Sequence, residues 1–225
     1  PRLKKIIYSP GEPRGIGPDL IIKLSSSKLW ENLKIPIVSI GDPKLFIDRA
    51  ALLKKKIKIV ELESLNEVSK NTKGLIQIIK VTKCSNIRPG KLSKSNAQYV
   101  LDNLTYSIKQ TMQNEGTALV TGPLSKENII SIDKLFTGHT EYIKKITKSK
   151  DVLMMLASDQ LRVALSTTHI PLKNVSRTIT KELIINKVKI LNEDLKNKFN
   201  IKKPNIKVLG PVSYTHLTLP TRCLV

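Results

Sequence analysis

Short apolar runs rich in β-branched residues alternate with amphipathic stretches along most of this chain. That alternation is what parallel strands joined by crossover helices require, and it predicts an α/β fold. Runs with strand character cover Lys5–Tyr8, Pro36–Ile40, Ile57–Val60, Leu75–Val81, Ala118–Thr121, Val152–Ala157, Leu161–Ser166 and Ile206–Leu209. Between them, Asp42 can cap a helix that starts at Pro43, a position where a proline has no needed N–H to lose. Ala97, Val100, Leu101, Leu104, Ile108 and Met112 recur at helical spacing. A further run from Lys181 to Phe199 sets Leu183, Ile184, Val188, Leu191 and Leu195 on one side and stops before Pro204. The Ser158-Asp159-Gln160 break between two apolar runs predicts a hairpin, so the sheet is expected to be mixed. No internal repeat, low-complexity linker or composition shift marks a domain boundary.

A chain of 225 residues with 40% apolar content can bury a proper core. No stretch reaches the roughly 18 uninterrupted apolar residues of a membrane span, and PRLKKIIYSPGEP turns polar too soon for a secretory signal, so a cytoplasmic setting is expected. Cys84 and Cys223 have no zinc-type spacing and are expected to be free thiols. With 39 basic and 18 acidic residues the formal charge is +21, a balance that could attract nucleic-acid phosphates. Against a nucleic-acid binder, the lysines are dispersed among Ile and Asn, and aromatics are only 4%, too few for base-stacking platforms. The Lys54-Lys55-Lys56 cluster reads as a solvated helix end.

Four segments that follow candidate strands can carry chemistry, because α/β folds gather ligands at strand ends. SPGEPRGIGPDL, residues 9–20, has glycines at 11, 15 and 17 for a tight loop, then Pro18 and Asp19 for the first turn of a helix. Its G-x-x-x-G-x-G spacing is neither the dinucleotide fingerprint nor a P-loop, and taken alone the segment reads as a structural turn. In VTGPLSKENI, residues 120–129, Lys126 stands where a point charge could hold an anionic group or could simply face water. In FTGHTEYI, residues 136–143, His139 and Thr140 offer a ring nitrogen and a hydroxyl at a helix start, a place that suits an anion. The other reading makes Thr140 the helix cap, Glu141 a first-turn acid and His139 a surface residue. In LSTTHIPLK, residues 165–173, His169 ends a strand, where an imidazole can bind metal or serve as hydrogen-bonded structure.

Taken in this order, the segments resemble the 4-hydroxythreonine-4-phosphate dehydrogenase family of pyridoxal phosphate biosynthesis. The loop G-[DE]-P-x-G-I-G-P-[DE] is matched from Gly11 through Glu12 to Asp19, and T-[AG]-P-x-x-K at Thr121 to Lys126. GHTE stands at Gly138 to Glu141 and TTHIPL at Thr167 to Leu172. The resemblance runs from about Ile6 to Gly210 and implies an isocitrate/isopropylmalate dehydrogenase-like α/β fold, a mixed sheet flanked by helices. It implies a homodimer with the active site at the interface. His139 and Thr140 would bind substrate, His169 would ligate a divalent metal (zinc, cobalt or magnesium), and Glu12 and Lys126 would supply substrate or loop contacts. The implied reaction is NAD-dependent oxidation of 4-phosphohydroxythreonine, a small phosphorylated hydroxy-amino acid, then decarboxylation to 3-amino-2-oxopropyl phosphate. A divalent metal suits both steps, since it can polarise oxygen in each.

The chain departs from the family after Gly210, where L-N-P-H-A-G is replaced by PVSYTHLTLPTRCLV. Tyr214 stands at the position of a second metal histidine, and His216 lies out of register. Residues 1–210 are therefore expected to be a partial dehydrogenase, incomplete at the C-terminus, and 211–225 a non-native tail. On that expectation the chain alone binds metal and NAD poorly. Arg14, where the family has a small residue, is expected at the surface.

Overall fold

The computed structural model describes residues 3–85, 87–91 and 93–210. The tail 211–225, with Tyr214, His216 and Cys223, lies outside the described residues. The chain divides into two compact units, Pro1–Asp151 and Val152–Val225. The sequence around the junction, KSKDVLMM, carries no glycine or proline to announce it.

The first unit is built on β1 (Lys5–Ser9), β2 (Ile37–Ile40), β3 (Lys58–Glu61), β4 (Leu75–Ile79) and β5 (Thr117–Thr121), in the order β3-β4-β2-β1-β5. Every pairing among them is parallel, with Ile7 opposite Val38 on one side and Leu119 on the other. The central strands show why: Ile-Val-Ser-Ile of β2 is buried at all four positions, which requires helices on both faces. Those are α1 (Gly17–Ser25), α2 (Lys28–Asn32), α3 (Pro43–Leu52), α4 (Ala97–Gln113), α5 (Lys126–Ile130) and α6 (His139–Thr147). Ile7, Val38, Ile40 and Ile79 join Leu62 and Leu65 in one core cluster; Ile37, Ile76 and Ile78 pack with Ile21, Ile22, Trp30, Leu45 and Phe46 in the other. The edge strand β3 keeps its two lysine and glutamate ends in water.

Helix boundaries that depend on local chemistry match the sequence reading. Asp42 caps α3, its Oδ1 accepting from Lys44 N at 3.2 Å, with Pro43 in the first turn. Lys54, Lys55 and Lys56 are exposed just past the end of α3. Asp42 does more than cap: its Oδ2 accepts from Cys84 N at 3.1 Å, and its own N–H donates to the Tyr99 hydroxyl at 3.0 Å. Asp42→Ala should therefore cost the cap, about 1 kcal/mol, and about as much again for the unpaired Cys84 N–H. Urea denaturation measures it; a loss no larger than that of an ordinary surface substitution would show that Asp42 is not a hub.

The second unit holds β6 (Met154–Ala157), β7 (Arg162–Leu165), α7 (Leu172–Thr178) and α8 (Lys181–Asn197). The expected hairpin is present, with Met154 opposite Leu165 and Ala157 opposite Arg162. Parallel and antiparallel pairing thus both occur, but among the described residues they lie in separate sheets. Thr180 caps α8 by accepting from Leu183 N at 3.1 Å. Ile206–Leu209 is not a strand: Val208 and Leu209 are 63% and 73% exposed and no described strand lies beside them. A β-branched run becomes a strand only where a neighbour accepts its ladder hydrogen bonds. Among the described residues no helix is long and apolar enough to cross a membrane.

Candidate functional site

The chain leaves β1 and β5 side by side, at the point of the parallel sheet where the crossovers diverge, and its two loops interlock there. The Pro10 carbonyl is pinned between two glycines. A Cβ on Gly17 would lie 1.8 Å from its oxygen and one on Gly122 would lie 2.3 Å from it. Gly122 N donates to Ser9 O at 2.7 Å, Glu12 N donates to Pro123 O at 3.0 Å, and the Tyr8 hydroxyl donates to Gly17 O at 2.9 Å. A Cβ on Gly11 would likewise lie 2.3 Å from Pro123 O, so Gly11 and Gly17, two of the three loop glycines, face packed backbone rather than open space. The described loop does not form a dinucleotide cradle on its own.

A buried arginine braces the loop from behind. Arg49 of α3, 4% exposed, donates to Pro13 O at 2.7 Å, to Gly15 O at 2.9 Å and to Asp19 Oδ1 at 2.7 Å. The sequence did hold a signal for it: Arg49 follows Leu45 by four and Phe46 by three, so it shares their buried face. Arg14 is the opposite correction. Expected at the surface, it is 5% exposed, and its Nη1 donates to Lys91 O while Gly90 N donates to Arg14 O at 3.0 Å. The carbonyl of Lys91, 77 positions away, gives the guanidinium a partner of the kind that burial demands.

Glu12 is buried against α5, where its carboxylate accepts from Asn128. Lys126, the first residue of α5, is exposed, and its Nζ lies 3.5 Å from where a Cβ on Gly138 would stand. Glu141 Oε2 lies 3.4 Å from the same point. Gly138 itself is the cap of α6 and gives no side-chain hydrogen bond to it. Thr140 is therefore not the cap: it sits inside the first turn, where its hydroxyl is past the N–H groups a cap must reach. His139 is half-buried rather than a surface residue, and burial, with Lys126 second, pushes its pKa below the ordinary 6.5. Glu12, Lys126, His139 and Thr140 thus belong to one region of the first unit.

The sign of the His139 effect on stability follows from that direction. The unfolded chain takes up the proton first as pH falls, so the stability held above pH 6.5 should decline through that value and level off below the folded pKa. His139→Gln should remove this contribution, read as a flatter plot of unfolding midpoint against pH; an unchanged slope would refute it.

His169 belongs to the second unit. It is exposed, between β7 and α7, with φ at 58° in the left-handed region that histidine enters more readily than most side chains. Among the described residues no group of three His, Cys, Asp or Glu side chains could hold a metal ion. A stable divalent site needs about three protein ligands, so the described residues do not make one unaided.

The comparisons with known proteins fit this architecture. Residues 32–211 match the family described as pyridoxal phosphate biosynthetic protein PdxA. A protein of Citrobacter koseri named 4-hydroxythreonine-4-phosphate dehydrogenase is 37% identical over 208 residues, 92% of this chain and 62% of its own. One of the same name from Pseudoalteromonas translucida is 41% identical over 206 residues, 92% of this chain and 61% of its own. A crystal structure titled as a 4-hydroxythreonine-4-phosphate dehydrogenase from Burkholderia phymatum superposes with a TM-score of 0.80 at 25% identity, covering 91% of this chain and 61% of that one. This chain therefore spans rather less than two thirds of the length of these relatives. The fold, the ordered segments and the profile match together establish that the chain belongs to the pyridoxal phosphate biosynthetic protein PdxA family.

Proposed function

We propose that the protein to which this chain corresponds, at the family's full length, is a 4-hydroxythreonine-4-phosphate dehydrogenase. It oxidises 4-phosphohydroxythreonine and releases carbon dioxide to give 3-amino-2-oxopropyl phosphate. NAD, when bound, supplies the hydride acceptor, and the protein supplies position and field. The observation that carries this reading is the start of α6: a cap without a side chain, followed directly by His139 and Thr140, with the Lys126 ammonium beside it. Free N–H groups at a helix start and a nearby cation favour an anionic substrate, and a neutral imidazole can accept or donate a hydrogen bond to it. In this proposal His139 and Thr140 orient the substrate and Lys126 offsets its negative charge. His169 contributes one ligand to a divalent metal, whose remaining ligands lie outside the described residues. A homodimer with the site at its interface and a cytoplasmic setting belong to the same proposal; Cys84, a free thiol, suits a reducing compartment.

The test is a full-length version assayed for NADH formation. Turnover of 4-phosphohydroxythreonine that requires divalent metal is the expected result, and preference for another phosphorylated hydroxy acid would reassign the substrate. His139→Ala should weaken substrate binding about 10–100-fold, the worth of a hydrogen bond to a charged group. An unchanged KM would remove His139 from the site.

A further inference from the structure

The loop after β1 and the start of α5 are joined by a bond between two buried side chains. The Glu12 carboxylate accepts from Asn128 Nδ2 at 3.1 Å through Oε2 and from Arg14 N at 3.3 Å through Oε1. Both side chains are buried, and Glu12 also grips the same segment by its main chain, donating to Pro123 O at 3.0 Å. Asn128 N–H in turn donates to Oγ of Ser125, the cap of α5, at 3.3 Å. A carboxylate withdrawn from water needs such partners, and breaking one is costly. The consequence is that the first turn of α5 is anchored at residues 123, 125 and 128, on both sides of Lys126.

We propose that Glu12 and Asn128 are positioning residues for Lys126: their buried bond fixes the first turn of α5 and so holds the Lys126 ammonium at the start of α6, beside His139. A lysine loses much rotamer freedom when ordered, so a fixed attachment point narrows where its ammonium can reach. Gly138 leaves the room it occupies, 3.5 Å from the absent Cβ. Placed there, the cation adds to burial in disfavouring a proton on His139, and the ring stays neutral with one nitrogen able to accept. The groups around this start are Lys126 from α5 and Glu141 from α6 itself. From α4, which packs on α6, Thr105 presents a hydroxyl 2.7 Å from that of Tyr142. The purpose of the device, a neutral imidazole for an anionic substrate, rests on the substrate role proposed above for His139; the geometry does not.

The experiment is a proton NMR titration of the histidine ring signals of the 225-residue chain, with His139 assigned by its loss in His139→Gln. No substrate, metal or NAD is added, so the outcome is independent of whether the full-length protein turns over. Lys126→Met should raise the His139 midpoint toward 6.5. Asn128→Ala should raise it in the same direction, and the double variant should add little to Lys126→Met alone, since both act through one ammonium. If Asn128→Ala is folded by near-UV circular dichroism and its midpoint does not move, the positioning role is wrong. If Lys126→Met does not move it, Lys126 does not act on His139; this exposed side chain gives that answer even where Asn128→Ala fails to fold.

Discussion

Gly17→Val should prevent the first unit from reaching its native structure, and Gly17→Ala should destabilise it by about 3 kcal/mol or more. The obstacle is backbone. A Cβ at Gly17 would stand 1.8 Å from the Pro10 oxygen, about half an ordinary contact distance. A flexible side chain could swing aside, but this carbonyl is held on its other flank by Gly122, where an added Cβ would stand 2.3 Å away. Moving Pro10 would also disturb the neighbouring Gly122 N to Ser9 O bond, and moving Gly17 would break the bond from the Tyr8 hydroxyl. A domain of this size is stable by only about 5–15 kcal/mol, so the alanine variant should lose much of its margin. Urea denaturation followed by tryptophan fluorescence reads it, because Trp30 is buried in the same core. A Gly17→Ala midpoint indistinguishable from the parent would mean that the loops are not interlocked as described. Gly122→Ala is the matched control and should fail for the same reason.

Arg49→Leu should cost about 3–5 kcal/mol, although leucine matches arginine in helix propensity and suits the apolar face that Leu45 and Phe46 share. The guanidinium satisfies the Pro13 and Gly15 carbonyls and the Asp19 carboxylate at once. Its removal leaves two carbonyls without their donor and a largely sheltered carboxylate without its cation. Arg49→Lys should recover only part of the loss, since a single ammonium lacks the planar fork that reaches several acceptors in different directions. Because two of the acceptors belong to the loop ahead of α1 and the third, Asp19, to its first turn, the damage should also reach the loop geometry. Protection of the amides around Gly15 and Asp19 against hydrogen exchange should fall more than protection in α4. Uniform loss of protection, or a destabilisation below about 1 kcal/mol as for a surface pair, would show that Arg49 is not the brace.

Both predictions concern residues whose importance is hard to read from the chain alone. Gly17 reads as a loop glycine, yet nothing local distinguishes a glycine that permits a turn from one that admits a carbonyl from elsewhere. Arg49 lies on an apolar helix face, but its acceptors are 30 to 36 residues earlier. Arg14 reads as a surface residue because arginine usually sits there, and the carbonyl of Lys91 reverses that default. Asn128 carried no visible signal, being an ordinary third residue of a short helix until its amide meets Glu12. Thr140 shows the limit at one residue's resolution: the helix start was legible, but the cap lies two positions earlier, at Gly138.

What the sequence determined unaided was whatever depends on neighbours within a few positions. The apolar periods set the parallel strands and α4, Asp42-Pro43 set the start of α3, the Ser158-Asp159-Gln160 break set the hairpin, and four ordered segments set the family. Tertiary structure alone decided which apolar run becomes a strand, as Ile206–Leu209 shows by having no described neighbour. It also decided which charges are buried and which side chains meet His139. The reason is one of range. Helix propensity, capping and turn chemistry are settled by dihedral angles and hydrogen bonds inside a single segment. Burial, strand pairing and pKa shifts depend on groups that only the folded chain brings within contact distance.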